Sequence, residues 1–536
     1  MKRIQTFDTT LRDGSQQSGI ALTLDEKLRI VSRLDEFGID IIEGGFPASN
    51  PKDQAFFDEA AKLQLSHARL SAFTATCRKN TPAAQDGGLQ DALACKAPVI
   101  SIVGKAWDLQ VAEVLQTTND ENLRMISESV AFLADAQREV IFDAEHYFDG
   151  FASNADYALA CVVAAAQAGA TCVCLCDTNG GSLPSHIVAG VKAAREALER
   201  EQLSTALGIH CHNDAGLAVA NALAAVEAGV TQVQGTINGY GERVGNADLL
   251  TVIANLELKM GYTCVGEEAL QNLTAVSRFV AEMCNKTVKT HHPYVGTAAF
   301  AHKGGLHGAA ETRMTAAYEH TDPRKVGNTS QMLVSELAGK ASLIAKVKTL
   351  GFDLEAYPDA IQPILDEIKE HEAAGYSYEV ADGSLMTLVM RNTGCFRAHF
   401  ALESFRVIVD DYEDKGAFAK DAMSEATIKI HVGSQRFVAT GEGDGPVGAL
   451  DNALRMALRE FYPQLDDIEL VDFKVRILDG NVGTDATTRV AITTRDQRGS
   501  WGTIGVSSNL LEASWNALVD SIEYGLTRAG VEPASE

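Results

Sequence analysis

Residues 206–214, ALGIHCHND, carry the reading of the fold. A short apolar run ends in two histidines separated by one residue. Side chains at i and i+2 on a strand point the same way, so His210 and His212 share one direction while Cys211 faces the other. Six comparable runs precede it, at 3–9, 39–46, 69–76, 99–104, 139–144 and 171–176, and one follows at 232–238. Between them lie Ala/Leu-rich stretches of helical period, as at 26–37, with Leu28, Val31 and Leu34 on one face, and at 157–168. The repeat is about one βαβ unit of roughly 30 residues. Eight such units close into a TIM barrel or lie open as a doubly wound sheet. Nearly every run delivers a polar group just past its C-terminal end: Arg12 and Asp13, Glu43, Lys105, Glu145, Thr178 with Asn179, His210 with His212, and 238–246. A barrel gathers these on one mouth, whereas an open sheet strings them along an edge. Delivery from the first strand through the eighth favours the barrel.

The chain around this core has 536 residues, 46% hydrophobic and 22% charged, which is ordinary globular composition and room for more than one domain. Its net charge of −26 argues against nucleic acid or an anionic membrane as the main partner. The opening residues hold no apolar signal-like run, and no stretch approaches 18 uninterrupted apolar residues, so a cytoplasmic protein is expected. Ten cysteines show no paired metal-ribbon spacing. Cys172, Cys174 and Cys176 alternate in an apolar run and read as small buried residues on one strand face.

Three domains are expected: a barrel at 1–260, a mostly helical connecting subdomain at 261–391, and an α+β domain at 392–536. The last carries an internal repeat. Strands at 405–410, 426–432 and 436–440 precede a helix at 447–461; strands at 469–478, 489–494 and 502–507 precede a helix at 510–528. Ala449/Ala513, Asn452/Asn516, Ala453/Ala517 and Leu454/Leu518 recur at one offset of 64. Two βββα units packed on each other are the reading.

Beside the histidine pair, DTTLRDGSQ (8–16) closes the first strand. In a closed barrel, strand one adjoins strand eight, and strand seven comes next. Asp13 is therefore a candidate third ligand with His210 and His212, leaving further positions on a divalent ion open to water or substrate. Arg12 reads either as a solvated ion-pair partner of Asp8 or a nearby acid, or as the cation that stabilises an oxyanion at the metal. Glu145 reads either as a partner of Arg12 or as a proton-handling carboxylate. Asn246, in GYGERVGNADL, reads either as a cap of the following helix or as a contact to the metal site.

Taken together, DTTLRDGSQ, HCHND and GYGERVGNADL resemble the metal-dependent acetyl-CoA:2-oxo-acid synthases, the isopropylmalate, homocitrate and citramalate synthases. The likeness extends over essentially the whole chain, through GDGPVGALDNAL and ASWNALVDSIEY, which look like that family's regulatory domain. GKAWDLQVAEVL (104–115), FDAEHYFDGF (142–151) and LCDTNGG (175–181) resemble the longer citramalate branch. The resemblance implies Asp13, His210 and His212 as ligands of Zn, Mn, Mg or Co with Asn246 close by, Arg12 and Glu145 as catalytic groups, and Thr178 with Asn179 at the substrate. It further implies His307 and Tyr318, in KGGLHG and AAYEHTDPRKVG, as catalytic residues on segments that reach over the barrel. Pyruvate and acetyl-CoA are the implied substrates, condensed to citramalate on the route to isoleucine, in a homodimer. Residues 101–105 lack the histidine usual in isopropylmalate synthases, which favours an oxo-acid smaller than 2-oxoisovalerate. An isopropylmalate synthase, a related acyl-CoA lyase and a non-catalytic effector sensor are the alternatives.

Gly443-Asp444-Gly445-Pro446-Val447-Gly448 fits GxGxxG, yet Phe473, Val475 and Ile477 alternate with Lys474 and Arg476 as in half-exposed antiparallel sheet. A dinucleotide site needs a parallel βαβ unit, so no NAD is expected. Gly443, Asp444 and Gly445, with Ser507, Ser508 and Asn509 in the second unit, read either as packing turns or as a pocket for an amino-acid effector, isoleucine or leucine.

Overall fold

Short apolar runs, buried on both faces, build the eight parallel strands that hold the site. In the computed structural model they are β1 (Gln5–Asp8), β2 (Ile41–Gly45), β3 (Arg69–Ala75), β4 (Val99–Lys105), β5 (Glu139–Glu145), β6 (Cys172–Asp177), β7 (Ala206–Cys211) and β8 (Gln232–Gly235). The structure describes residues 2–49, 51–302, 319–332, 334, 339–409, 424–478, 483 and 486–534. The strands form one closed barrel in sequence order. Its seam is the parallel pairing of β1 with β8, Phe7 opposite Gln234 and Asp8 opposite Gly235. The strand runs expected from the sequence all appear, and the barrel closes as anticipated.

Helices return the chain between strands. The first, Leu24–Phe37, starts at Thr23, whose side chain accepts from the Glu26 N–H while the Glu26 carboxylate accepts from the Thr23 N–H. It stops at Gly38, whose φ of 95° suits glycine. Phe7, Ile41, Val99, Ile141, Cys172, Cys174 and Cys176 fill the barrel interior, so the alternating cysteines do pack on one strand face. Thiol burial is general, with Cys395 alone exposed among the ten.

Two units emerge from the chain's internal contacts: residues 1–300 with 320–329, and residues 301–319 with 330–536. In the second, helices Lys340–Thr349, Ile361–Ala373 and Asp382–Asn392 precede two three-stranded antiparallel sheets. The first sheet comprises Ala401–Val409, Ser424–Val432 and Gln435–Gly443, followed by the helix Pro446–Leu458. The second comprises Glu469–Ile477, Thr488–Asp496 and Gly499–Ser507, followed by the helix Leu510–Arg528. The offset of 64 relates the last two strands and the helix of each unit. The first strands differ by 68, and both carry a bulge at the same place, Leu402/Ser404 and Leu470/Asp472. Gly441 and Gly505, also 64 apart, are where the helix lies against the sheet. A Cβ at Gly441 would come within 2.4 Å of the Ala453 nitrogen, and one at Gly505 within 2.0 Å of the Ala513 oxygen.

The GxGxxG turn leaves an antiparallel strand, not a βαβ unit. Gly443 is a packing glycine, since a Cβ there would meet the Ala449 nitrogen at 2.6 Å, while Gly445 caps the helix with open space around it. Asp444 lies in the bend between them. At the matching turn Asn509 caps its helix by accepting from the Leu511 N–H. Ser507 accepts from the Asn509 N–H and donates to Glu512, and Ser508 continues the turn.

Candidate active site

A cavity of about 690 Å³ opens at the C-terminal ends of the barrel strands. TIM-barrel chemistry belongs at this end, where several strands can each aim one side chain inward. Asp13, His210 and His212 line it, all buried, with ligand atoms within 4.8 Å of one another. Asp13 Oδ2 lies 3.2 Å from His210 Nε2 and 3.8 Å from His212 Nε2. Burial opposes its ionisation, but Arg12, His210 and His212 outweigh burial and hold the carboxyl well below the usual carboxylate range. His212 goes the other way: burial and the neighbouring His210 push it down to about 4.

These residues fit a divalent cation. His210 has an acceptor at each ring nitrogen, Gln234 Oε1 at 3.0 Å from Nδ1 and Asp13 Oδ2 beyond Nε2. That arrangement calls for positive charge between imidazole and carboxylate, either a proton or a cation. Two buried polar atoms nearby have no hydrogen-bond partner, His212 Nδ1 and Asn246 Oδ1. An unpaired buried acceptor costs about 1–3 kcal/mol, and a carbonyl oxygen of that kind is a good ligand for a hard cation. Asn246 faces His212 across an isolated backbone bridge, and its amide donates to the Tyr240 carbonyl. It does not cap the following helix; Asp248 does, accepting from the Thr251 N–H.

Arg12 pairs with a nearby acid, as one sequence alternative had it, but the acid is the buried Glu43 and not Asp8. Its Nε–H donates to Glu43 Oε2 at 2.6 Å. Glu43 is fully buried and also accepts from Ser101 Oγ. The guanidinium lies 4.1 Å from the Phe73 ring centroid, and its Nη1 is 3.7 Å from Asp13. Burial disfavours the guanidinium charge, yet Glu43 and Asp13 hold its proton more tightly than usual. Asp8 instead accepts from the Thr10 amide and hydroxyl. Glu145 pairs with Lys105, Oε2 to Nζ at 2.5 Å, because β4 and β5 place the two opposite each other in register.

Thr178 Oγ1 accepts from the His146 N–H at 2.8 Å, which leaves its own hydrogen free to donate into the cavity it lines. Asn179 is exposed, donates to Asp149, and is not among the residues lining that cavity. His307 and Tyr318 lie outside the described residues. Three residues that the sequence reading did not assign to the site belong to its surroundings: Phe73 under Arg12, Asp143 and Gln234. Burial, with the charge of Glu43 adding to it, pushes Asp143 up to about 7. Asp143, Cys174 and Cys176 form a second cluster of potential ligand atoms. Its Cys176 thiol is turned to the Cys174 carbonyl at 3.7 Å, and burial lifts Cys174 well above the ordinary thiol range.

Barrel and site together define the HMGL-like class, whose family model matches residues 3–280. Further models match 294–375, the homocitrate synthase post-HMGL domain-like family, and 379–526, the LeuA allosteric (dimerisation) domain. The chain is 45% identical to the (R)-citramalate synthase of Aquifex aeolicus over 98% of both chains. It is 48% identical to that of Streptomyces coelicolor, over 98% of this chain and 97% of the other. A probable 2-isopropylmalate synthase of Methanopyrus kandleri is 30% identical over 97% of this chain and 98% of the other. The chain belongs to the (R)-citramalate synthase family.

Proposed function

We propose that this enzyme condenses acetyl-CoA with pyruvate and hydrolyses the thioester, releasing (R)-citramalate and CoA. The observation that carries the reading is the buried Asp13–His210–His212 triad beside Arg12 in a chain that matches citramalate synthases end to end. Asp13, His210 and His212, with Asn246 beside them, would hold a divalent cation, which would supply Lewis-acid polarisation of a 2-oxo-acid carbonyl. Arg12, fixed by Glu43 and Phe73, meets the negative charge that grows on the keto oxygen during carbon–carbon bond formation. Thr178 donates its free hydroxyl hydrogen to the pyruvate carboxylate.

Glu145 handles the acetyl methyl proton, with His307 as the other residue in that role and Tyr318 assisting on the strength of family resemblance. The methyl carbon bonds to C2 of pyruvate, and the keto oxygen takes up a proton to become the tertiary hydroxyl. Water then adds to the thioester carbonyl and CoA leaves as its thiol. Holding both reactants in one cavity contributes several kcal/mol, up to about 7–11 for ideal alignment. Asn179 remains in the proposal as a rim residue whose amide would have to leave Asp149 to reach substrate.

The three-part division at 1–260, 261–391 and 392–536 goes with this reading. So do a homodimer and an isoleucine or leucine effector, supported by the match to an allosteric dimerisation domain. No described helix is long and apolar enough to cross a membrane; a cytoplasmic location is part of the proposal, consistent with ten free thiols. Mass spectrometry of the products formed from acetyl-CoA and mixed 2-oxo-acids tests the function. Citramalate should dominate; predominant isopropylmalate would overturn the substrate assignment.

A further inference from the structure

We propose that Gln234 and Asp143 are positioning residues that fix the tautomer of His210. The proposal rests on the reading that Asp13, His210 and His212 hold a divalent cation, and adds what prepares His210 for it. Gln234 stands on β8 directly opposite His210 on β7. Its Oε1 is 3.0 Å from His210 Nδ1, and its Nε2 donates to Asp143 Oδ1 at 3.0 Å. Gln234 and Asp143 are buried, at 1% and 4% exposure, so these bonds do not compete with bulk water.

The logic is one of donors and acceptors. An ionised carboxylate can only accept, so with Asp143 in that form the Gln234 amide turns its N–H toward Asp143, the orientation the structure has. Its carbonyl oxygen then faces His210, which must carry its hydrogen on Nδ1. Nε2 is left with a lone pair aimed at Asp13 and at the position of the cation. With Asp143 removed, the amide is free to rotate; its N–H would face Nδ1, the hydrogen would move to Nε2, and the ligand would be blocked. β5 and β8 are not neighbours, so Gln234 reaches across the barrel interior to Asp143. A polar side chain spanning the core is hard to justify by packing alone.

Partners of this kind change metal affinity by about 10–100-fold when removed. The test is a titration of the full-length metal-free chain with Zn²⁺ against a competing chromophoric chelator, with thermal unfolding as a check of folding. Gln234→Met should weaken Zn²⁺ binding by about 10–100-fold. Asp143→Leu should weaken it in the wild-type background and add nothing to Gln234→Met, since Asp143 works through the amide. Equal weakening in both backgrounds would mean that Asp143 acts by charge through space, and would overturn its part. Wild-type affinity in Gln234→Met, with binding lost in Asp13→Asn, would overturn the proposal while leaving the metal site intact. Undiminished binding in Asp13→Asn would instead overturn the metal site itself. Should the variants fail to fold, ¹⁵N-histidine spectra of the Zn²⁺-loaded wild type decide: the His210 hydrogen belongs on Nδ1, and a hydrogen on Nε2 contradicts the proposal.

Discussion

Arg12 donates to Glu43 at 2.6 Å, and Glu43 is wholly removed from solvent. This fixed pairing turns a long, mobile side chain into a pre-aimed cation 3.7 Å from Asp13. Arg12→Met leaves the Glu43 charge buried and alone, a change that typically costs about 3–5 kcal/mol. Adding Glu43→Gln should recover much of the lost stability in thermal denaturation. Neither variant should recover turnover, which falls by about 10²–10³ when an oxyanion donor is lost.

Glu145 answers to a different cation. Its partnership with Lys105 leaves it at the cavity and apart from the Arg12 pair. Glu145→Gln keeps the shape and removes the proton acceptor, so kcat should fall by about 10²–10⁴ with little change in KM for pyruvate. Steady-state assays with both substrates measure the split.

In the second unit, His399 has acceptors at both ring nitrogens, Glu523 Oε2 at 2.6 Å and the Val531 carbonyl at 2.9 Å. Burial disfavours its charge, but the bond that its ring donates to Glu523 leads the effects that raise it above the ordinary histidine value. An imidazolium donates to both partners; a neutral ring donates to one. The stabilisation is therefore complete below about 6.5, the unfolded value, and is lost as pH rises through the higher folded value. Urea denaturation across that window should show stability falling with pH, and His399→Asn should make the slope shallower, the remainder belonging to buried acids such as Asp143.

Gly441 and Gly505 make the same close approach in the two repeats. Alanine at either must displace backbone, so each substitution should lower stability by about 1–3 kcal/mol, the usual cost of overpacking. Differential scanning calorimetry of the two single variants would show similar losses. An unchanged melting temperature would mean the helices can slide to make room.

Legibility in the sequence followed local pattern. The eight strands announce themselves by apolar runs ending in polar residues, and His210 with His212 by strand periodicity. Asp13 joins them because barrel closure is a topological rule, and β1 does pair with β8. The partners of those residues were not legible. Nothing near Arg12 in the chain points to Glu43, 31 residues away, so Asp8, some other nearby acid and Glu145 stood as its possible partners. Asp143 and Gln234, 91 residues apart, meet only across the closed interior. Asn246 carries the right residue type for a helix cap, but Asp248 two residues on takes that place, and its own oxygen stays free.

The most direct measurement is citramalate formation by the exhaustively chelated enzyme, repeated after adding back one equivalent of Mn²⁺, Co²⁺ or Zn²⁺, with Asp13→Asn, His210→Ala and His212→Ala alongside. No product from the chelated wild type, return of turnover with added metal, and silence from all three variants are the predicted results. Undiminished turnover after chelation, or from any of the three variants, would contradict the account.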